Sequence, residues 1–363
     1  MKIFFCINTM GHGGAERVVS ILANELSKDN EVTIFTLGSN ESYYEIKKTV
    51  ACRSLSKRKN KHWGGKVLKI CRSIRNLRKE MKSGQYDLGI SFLPEASFVM
   101  LLSKLNCKRI ISVRNDPNRE YNNVIYRFLM KNLYRKADGL VVQTPDVESF
   151  FRKEIGLDSR IILNPVDSSV VKYRDYDGGE RKKEIASVGR LCPQKNFPLL
   201  INAFALVCDE IPGYKLKIYG DGPERFNIER IISYYGISDR VELCGARKDL
   251  FKHLSRSTLF ILPSDYEGMP NALIEAMALG IPVISTDCPC GGPRYLIKNM
   301  KNGILTPVGD VERLGENIVF LIKNKRISEG VGREAKKIID RVNKEKIVTE
   351  WKDYIAKVTN SLK

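Results

Sequence analysis

At 363 residues the chain is long enough for two domains of ordinary size, because one hydrophobic core rarely serves more than about 250–300 residues. A hydrophobic content of 43% and a charged content of 28% are typical of a soluble globular protein and exclude a disordered one. No apolar run reaches the roughly eighteen residues of a membrane-spanning helix, and the opening MKIFFCINTM turns polar too early for a signal peptide. We therefore expect a cytoplasmic protein.

The net charge of +19 is unevenly distributed along the chain. Residues 1–165 hold 29 Lys and Arg against 16 Asp and Glu, a net charge of +13, and the remainder holds 32 against 26, a net charge of +6. A basic surface in the first half predicts an acidic partner, either nucleic acid or anionic lipid. Nine cysteines show no disulfide or zinc spacing, which predicts reduced thiols.

The chain opens with an apolar stretch, residues 2–8, that predicts a strand, and a glycine-rich loop and an amphipathic helix follow it. Such a loop suits a phosphate or a sugar, but a simple tight turn explains it equally well. It is not the dinucleotide-binding fingerprint, because Glu16 stands where the third glycine belongs. Nor does Lys-Ser or Lys-Thr follow, which excludes a P-loop.

Four more short apolar runs, at residues 31–37, 87–92, 109–113 and 139–143, predict strands separated by helical segments. This alternation predicts a doubly wound α/β domain. Arg114, Asn115 and Asp116 follow the third of these runs, at the sheet edge where such domains bind their ligands.

Residues 57–82 carry eleven Lys or Arg and a single acidic residue, Glu80. From Lys66 the spacing of Val67, Ile70, Cys71, Ile74, Leu77 and Met81 predicts an amphipathic helix whose apolar stripe packs on the domain. The cations then face outward, among them Lys66, Lys69, Arg72 and Arg75. A solvated basic helix is one interpretation, and we prefer a surface for anionic lipid or for a pyrophosphate-bearing acceptor. Nucleic acid comes third, because aromatic residues that would stack on bases are missing.

The second half begins after a polar run, residues 175–183, in which Asp175 and Asp177 form an Asp-x-Asp sequence. We do not expect a metal site there, since no apolar strand delivers these carboxylates to a site. Residues 184–188 predict a strand, and Gly189, Arg190 and Lys195 follow it. Two cations at this spacing before a helix are suited to clamp a diphosphate, although two surface cations on a loop remain the alternative.

Residues 258–289 predict one βαβ unit, with a helix that starts near Pro270 and ends before Gly280. Glu275 is the only charged residue of this apolar helix, so it needs a ligand or a cation as its partner. Glu267 lies in the loop before the helix, where the amides around Met269, Asn271 and Ala272 suit a phosphate. A buried salt bridge at Glu275 with a solvated Glu267 is the alternative.

The stretch EGMPNALIE, residues 267–275, resembles the motif of two glutamates that defines family-4 retaining glycosyltransferases of the GT-B fold. The resemblance covers the whole chain in order: the glycine loop, the Asn164-Pro165 linker, Gly189-Arg190 to Lys195, and GDGPE at residues 220–224. The phrases GHGGAER and STDCPCGGPR are most similar to bacterial enzymes that extend surface glycans on lipid carriers. The resemblance implies an α/β fold of two Rossmann-like, doubly wound domains that face a cleft. Residues 1–165 would bind the acceptor, residues 166–344 the nucleotide sugar, and residues 345–363 would form a helix that crosses back to the first domain.

The resemblance also implies roles for individual residues. Glu267 would face the donor sugar as a catalytic residue, Arg190 and Lys195 would neutralise the leaving diphosphate, and Glu275 would bind the ribose. The implied donor-binding set is Gly14, Gly189, Arg190, Lys195, Gly220, Arg247, Glu267, Gly268, Met269, Pro270, Asn271, Ala272, Leu273 and Glu275. The implied acceptor side is His12, Gly13, Arg114 and Asn115, with Arg114 standing near where many members of the family have a histidine.

We therefore expect a retaining enzyme that moves a hexose or N-acetylhexosamine from a nucleoside diphosphate sugar, with UDP as the expected nucleotide. The acceptor would be a hydroxyl of a glycan carried on a polyprenyl diphosphate, at the inner face of the cytoplasmic membrane. No metal, no cofactor and no nucleic acid are expected. The alternatives are a nucleotide-sugar epimerase or phosphorylase of the same fold, and a non-catalytic basic protein that binds nucleic acid. An epimerase would need catalytic histidines, and the chain has only His12, His62 and His253.

Overall fold

The computed structural model describes residues 1–56, 63–166, 168–173 and 181–360. The chain divides into two compact units. The first unit contains Met1–Pro165 and also Glu345–Lys363, and the second unit is Val166–Lys344. Each unit is built around its own parallel sheet, with helices in the connections.

The first unit contains a seven-stranded sheet in the order β3-β2-β1-β4-β5-β6-β7. Its strands are β1 (Lys2–Ile7), β2 (Glu31–Thr36), β3 (Val50–Ser54), β4 (Leu88–Phe92), β5 (Lys108–Ser112), β6 (Gly139–Val142) and β7 (Arg160–Ile161). The predicted apolar strands all form. Sequence reasoning missed the edge strand β3, because Val50 is its only fully buried residue and no apolar run marks it.

The second unit contains a six-stranded sheet in the order β10-β9-β8-β11-β12-β13. Its strands are β8 (Lys182–Val188), β9 (Lys215–Tyr219), β10 (Val241–Gly245), β11 (Ser257–Leu262), β12 (Val283–Thr286) and β13 (Ile304–Thr306). All strand pairs of both sheets are parallel. Together they form the two doubly wound sheets that the sequence predicts.

The helices occupy the connections between the strands. In the first half of the chain these are α1 (Gly14–Leu26), α2 (Trp63–Gly84), α3 (Pro94–Leu102), α4 (Pro117–Glu120), α5 (Val124–Leu133) and α6 (Pro145–Ile155). In the second half they are α7 (Phe197–Val207), α8 (Arg225–Tyr234), α9 (Leu250–Leu254), α10 (Asn271–Ala278), α11 (Gly292–Leu296), α12 (Val311–Lys323), α13 (Lys325–Ala335), α14 (Ile339–Val342) and α15 (Lys344–Asn360). Short 3-10 turns extend several of these elements.

The last helix, α15, packs on the first unit, as predicted. Trp351 is fully buried and stacks on Phe92 at the end of β4, with ring centroids 6.1 Å apart. The backbone N–H of Leu140 in β6 donates to the Tyr354 hydroxyl over 3.0 Å. Burial of these large aromatic side chains anchors the end of the chain to the first sheet.

Helix α2 follows the predicted pattern only in part. Leu77 is fully buried and Ile70, Ile74 and Met81 are half-buried, whereas Val67 is 53% exposed and Cys71 is also exposed. The prediction that the whole apolar stripe packs on the domain is therefore wrong for the first half of the helix. Residues 57–62, which begin the basic stretch, lie outside the described residues.

Within the part of the chain that the structure describes, no helix is both long enough and apolar enough to cross a membrane.

Candidate active site

The order of strands in the second sheet reverses between β8 and β11, which lie side by side. After β8 the chain runs outward through β9 and β10, and after β11 it runs outward the other way. Open α/β sheets bind their ligands at the carboxyl ends of the strands flanking such a reversal, because the two loops there diverge and leave a crevice. The loops at this point contain Gly189–Lys195 and Ser264–Glu267, so both predicted catalytic stretches lie at the same edge.

Glu267 sits at the centre of this edge and is 6% exposed. The Lys195 ammonium donates a short hydrogen bond to its Oε1 atom, and the two side chains form an ion pair. The Ser264 hydroxyl donates to the same oxygen over 2.7 Å. The alternative of a solvated Glu267 is therefore wrong, because this carboxylate is buried, paired and hydrogen-bonded.

Arg190 follows the end of β8, and its side chain is exposed and makes no hydrogen bond or ion pair with the described residues. Beside it the backbones approach very closely. A Cβ atom on Gly220 would lie 1.9 Å from the Gly189 carbonyl oxygen, and one on Gly189 would lie 3.2 Å from the Lys195 methylenes. Only glycine fits at Gly220, whose φ of +135° also excludes a side chain. An available guanidinium and a fixed ammonium at one sheet edge form a cationic site suited to a diphosphate.

Helix α10 begins at this edge, one residue later than predicted. Pro270 takes the N-cap position, with ψ of 103°, and Asn271 is the first helical residue. The partly exposed Asn271 and Ala272 form the open first turn, while Gly268, Met269, Pro270 and Leu273 are buried. The N–H groups of the first turn and the positive end of the helix dipole would favour an anion there.

Glu275 lies on α10 and is 4% exposed, so the predicted burial of this carboxylate is correct. Gly280 follows the helix with φ of +70°, which is the left-handed conformation that ends a helix. The first residue of α11 packs against this motif, since a Cβ atom on Gly292 would lie 1.8 Å from the Gly268 carbonyl oxygen. The close packing fixes the backbone between the two glutamates.

Arg247 follows β10, two strands away from β8, and its side chain is exposed. The turn before it is tied to the β9 turn by the hydrogen bond from the Gly220 N–H to the Gly245 carbonyl, 3.0 Å long. The structure thus brings Arg190, Lys195, Gly220 and Glu267 to one edge, with Arg247 further along it.

In the first unit the predicted acceptor-side residues begin at the glycine loop after β1. Gly13 caps α1 and Gly14 is the first helical residue. The exposed His12 ring lies against Tyr43, with centroids 3.9 Å apart, and the His12 carbonyl accepts a hydrogen bond from the Tyr44 hydroxyl over 3.2 Å. Packing against the two tyrosines gives this loop a defined shape.

Arg114 follows β5 but is only 9% exposed. Its guanidinium carbon lies 4.6 Å from the centroid of Phe92 and 5.7 Å from that of Trp351, and Nη1 donates to the Asn164 side chain over 2.7 Å. Burial lowers the pKa of Arg114 to about 9. An arginine in this setting supports the packing of α15 and the chain near Pro165, so a direct role with an acceptor stays a prediction, as it does for the half-buried Asn115.

Sequence reasoning missed a polar cluster where the order of strands reverses in the first sheet, between β1 and β4. Glu95, in the first turn of α3, accepts hydrogen bonds from the Asn8 side chain over 3.0 Å and from the Tyr126 hydroxyl over 3.1 Å. Nearby Glu120 has its pKa raised to about 8 by burial and by the charges of Glu95 and Asp116. A signal was available in the sequence, because Asn8 ends one apolar run that predicts a strand and Glu95 follows another.

A cavity of about 770 Å³ lies elsewhere, at the opposite edge of the second sheet, and contains none of the predicted site residues. Arg181 lines it and donates to the backbone carbonyls of Ser255, Ser257, Leu279 and Gly280. This arginine therefore satisfies carbonyl groups at the ends of α9 and α10 and at the start of β11. The volume of this cavity is therefore no guide to the predicted donor site.

Among the residues that the structure describes, no group of three or more His, Cys, Asp or Glu is arranged to hold a metal ion. Asp175 and Asp177 lie outside the described residues.

Comparison with known proteins agrees with this architecture. Residues 12–170 match the family model described as Glycosyltransferase Family 4, and residues 174–338 match the one described as Glycosyl transferases group 1. Two parallel doubly wound sheets with these matches define a glycosyltransferase of the GT-B fold. More specifically, the chain belongs to the family-4 glycosyltransferases.

Solved structures show the same fold. Sucrose-phosphate synthase from Thermosynechococcus elongatus superposes with a TM-score of 0.81 at 19% identity, over 98% of each chain. HepE from Anabaena, solved in complex with UDP, superposes with a TM-score of 0.77 at 19% identity, over 98% of this chain and 100% of that one.

Two relatives are similar over nearly their whole length. One is "GalNAc-alpha-(1->4)-GalNAc-alpha-(1->3)-diNAcBac-PP-undecaprenol alpha-1,4-N-acetyl-D-galactosaminyltransferase" of Campylobacter jejuni, 27% identical over 99% of this chain and 100% of the relative. The other is the amylovoran biosynthesis glycosyltransferase AmsD of Erwinia amylovora, 26% identical over 94% of this chain and 96% of the relative.

Proposed function

We propose that this glycosyltransferase transfers a hexose or N-acetylhexosamine from a UDP-sugar to a hydroxyl of a lipid-linked glycan, with retention at the anomeric carbon. One observation carries the proposal. The buried Lys195–Glu267 ion pair and the exposed, unpaired Arg190 lie together where the order of strands in the second sheet reverses. One cation held by a buried carboxylate and a second, available cation beside it match a donor that is anionic at its diphosphate and rich in hydroxyls at its sugar.

The proposed roles follow from these positions. Arg190 and Lys195 bind the diphosphate, with the open first turn of α10 as a further anion-binding group. Glu275, buried on the same helix, binds the ribose hydroxyls. Glu267 orients the donor sugar and supports positive charge at its anomeric carbon. Arg247 lies further along this edge, where we place the base.

The proposed chemistry is mostly electrostatic. Breaking the bond between the anomeric carbon and the phosphate oxygen leaves negative charge on the departing UDP, and the cations stabilise that charge. The acceptor hydroxyl attacks the same face, and its proton passes to the departing phosphate oxygen. Because protein cations balance the diphosphate, we propose that no metal ion is required.

For the acceptor we propose a glycan on a polyprenyl diphosphate, in the assembly of a surface polysaccharide or oligosaccharide. The Campylobacter relative is named for an undecaprenol-linked acceptor with an acetamido sugar, and the Erwinia relative for amylovoran biosynthesis. In the first unit, the glycine loop and the Asn8–Glu95 cluster at the carboxyl edge are the groups available to bind acceptor hydroxyls.

The experiment has two stages. First, thermal unfolding is measured with UDP, GDP and ADP and with their sugars, because a ligand at one hundred times its Kd stabilises by about 2.7 kcal/mol. Second, the protecting sugar nucleotide is incubated with a short-chain polyprenyl-diphosphate glycan, and the anomeric configuration of the product is read by NMR. We expect UDP-sugars to protect the protein against unfolding. We also expect a donor with an axial anomeric bond to give a product with an axial anomeric bond. Inversion, or conversion of the donor without an acceptor, would contradict the proposal, and the second result would favour an epimerase.

We further propose that the protein associates peripherally with the inner face of the cytoplasmic membrane through α2. Arg72 and Arg75 are exposed on this helix, and Val67 and Leu68 are 53% and 63% exposed beside them. Cations attract anionic lipid at about one kcal/mol each, while exposed apolar side chains can enter the interface. Not every cation serves this purpose: the Arg78 guanidinium donates to the Ser103 and Leu102 carbonyls at the end of α3.

Vesicle sedimentation tests this association. Binding to anionic vesicles should weaken as salt rises from 0.1 M to 1 M, because the Debye length falls from about 10 Å to about 3 Å. Changing Lys66, Lys69, Arg72 and Arg75 to Gln should reduce binding at low salt. The control variant removes the same charge by changing four exposed cations of the second unit to Gln: Lys215, Arg230, Lys252 and Lys301. It should bind anionic vesicles nearly as well as the parent. Equal losses in both variants would contradict a role for α2, and tight binding of the parent to RNA or DNA would favour the nucleic-acid alternative.

A further inference from the structure

Three consecutive side chains after β8 each bond to the loop after β11. The Gln194 side-chain amide donates a hydrogen bond to the Tyr266 backbone carbonyl over 2.9 Å. Lys195 pairs with Glu267, as described above. The Asn196 amide donates to the Asp265 carboxylate over 2.6 Å.

A backbone hydrogen bond completes this contact, from the Asp265 N–H to the Gln194 carbonyl over 2.9 Å. Only the middle pair, Lys195 and Glu267, belongs to the predicted catalytic set. The flanking bonds fix the backbone on both sides of each catalytic residue.

Asn196 is the most constrained of these residues. Its backbone is left-handed, with φ of +41° and ψ of 47°, a conformation that asparagine tolerates better than most residues. Its Oδ1 atom accepts a hydrogen bond from the Leu199 N–H over 3.2 Å and so caps α7, while its amide nitrogen holds Asp265. One side chain therefore connects the start of α7, the Lys195 loop and the Glu267 loop.

We propose that Asn196 and Asp265 are positioning residues that hold Lys195 against Glu267 before the donor binds. The inference rests on the proposed function of Lys195 as a diphosphate ligand. A lysine side chain is long and flexible, so a cation that must act at a set point gains from a fixed backbone at its base and a partner at its tip. The bond between Asn196 and Asp265 fixes the backbone next to Lys195, and Glu267 is the partner of the Lys195 ammonium.

Exchange of the two side chains tests the bond. Asn196→Asp keeps the left-handed backbone and the cap but places two carboxylates together, so affinity for UDP should fall about tenfold or more. Asp265→Asn retains a hydrogen-bonding pair and should stay within about threefold of the parent. In the double variant the new amide at position 265 donates to the new carboxylate at 196, and affinity should return to within about threefold. Failure of the double variant to recover would overturn the proposal.

A neutral variant separates geometry from charge. Asn196→Gly tolerates the positive φ and costs an N-cap only a few tenths of a kcal/mol, yet it loses the bond to Asp265. It should weaken UDP binding several-fold and leave uridine, which has no phosphate, within about twofold. Unchanged UDP affinity would overturn the proposal. Asn123→Gly, at the N-cap of α5, is the matched control and should change neither affinity.

Action through Lys195 is tested by a double-mutant cycle. In a Lys195→Met background, Asn196→Gly should cause little further loss of UDP affinity, because the group that it positions is gone. A full, independent loss would show that Asn196 acts only on general structure.

Hydrogen exchange without ligand keeps the two proposals distinguishable. Asn196→Gly should speed amide exchange in residues 264–267 as well as in its own loop, whereas Asn123→Gly should leave exchange in residues 264–267 unchanged. If the parent binds none of UDP, GDP and ADP, the proposed function fails while this result still decides whether the two loops are coupled. Unchanged exchange in residues 264–267 would overturn the coupling itself.

Discussion

Removal of the charge at Lys195 should destabilise the second unit as well as impair donor binding. The pair is largely buried, with side-chain exposures of 18% for Lys195 and 8% for Glu267. Breaking a buried ion pair by removing one partner typically costs about 3–5 kcal/mol. In Lys195→Met the Glu267 carboxylate keeps the Ser264 hydrogen bond, so we expect a loss at or just below the bottom of this range, about 2–3 kcal/mol.

The companion changes follow from the same geometry. Glu267→Gln should cost about 1 kcal/mol, because Lys195 is exposed enough to be hydrated and the new amide oxygen still accepts from Ser264. The double variant Lys195→Met with Glu267→Gln should be more stable than Lys195→Met alone, since no unpaired charge stays buried. Its affinity for UDP should nevertheless remain low.

Urea denaturation of the four proteins measures these differences, and at about 2–4 °C per kcal/mol the Lys195→Met variant should also melt about 4–12 °C lower. A loss below about 0.5 kcal/mol in Lys195→Met would refute the reasoning, because it would show that Glu267 does not depend on its ammonium partner. Recovery of UDP affinity in the double variant would refute the assignment of Lys195 to the diphosphate.

Four further outcomes are expected. Arg190→Ala should lower turnover by about a hundredfold with little change in melting temperature, as loss of one preorganised charge contact does, and steady-state kinetics with an unfolding curve checks this. Turnover should survive EDTA; loss on chelation with recovery on adding magnesium would contradict the metal-independent mechanism. Glu275→Ala should weaken binding of UDP itself, whereas Glu267→Ala should mainly lower turnover, and calorimetry with UDP would expose equal effects. Glu120→Gln should stabilise the protein increasingly from pH 5 to pH 8, by at least about 1 kcal/mol in urea titrations. The sign follows because a folded pKa of about 8, above the unfolded value of about 4.3, penalises folding as the pH rises; a constant difference across that range would contradict it.

Much of the fold could be predicted from the sequence because parallel strands buried on both faces are written as uninterrupted apolar runs. The run at residues 87–92 marks β4 (Leu88–Phe92), whose residues are all buried, and the site residues Gly189 and Glu267 lie in the loops that follow predicted strands. Their placement at one edge then follows from topology, because parallel strands end at the same edge. The sequence therefore indicated which stretches would meet.

Contacts between specific side chains could not be predicted in this way. Nothing local indicates that Lys195 would pair with Glu267, since the pairing depends on β8 and β11 becoming neighbours. The left-handed Asn196 is likewise fixed by its bonds to Asp265 and Leu199 rather than by its neighbours in sequence.

The errors have physical reasons as well. The helical period of α2 is real, but periodicity does not reveal how far along a helix the domain surface extends, so Val67 is exposed while Leu77 is buried. For Arg114 the acceptor role stays a prediction, but its contacts could not be foreseen, because its guanidinium packs on Phe92 and on Trp351, which is more than two hundred residues away in the chain.

A crystal structure with UDP bound would show directly whether each part of the nucleotide contacts the group proposed to bind it. We predict the diphosphate within about 2.7–3.2 Å of Arg190 and Lys195, the distance of a hydrogen bond, and the ribose hydroxyls against Glu275. UDP bound elsewhere, for example in the cavity lined by Arg181, with Arg190 and Lys195 unengaged, would contradict the proposed donor site.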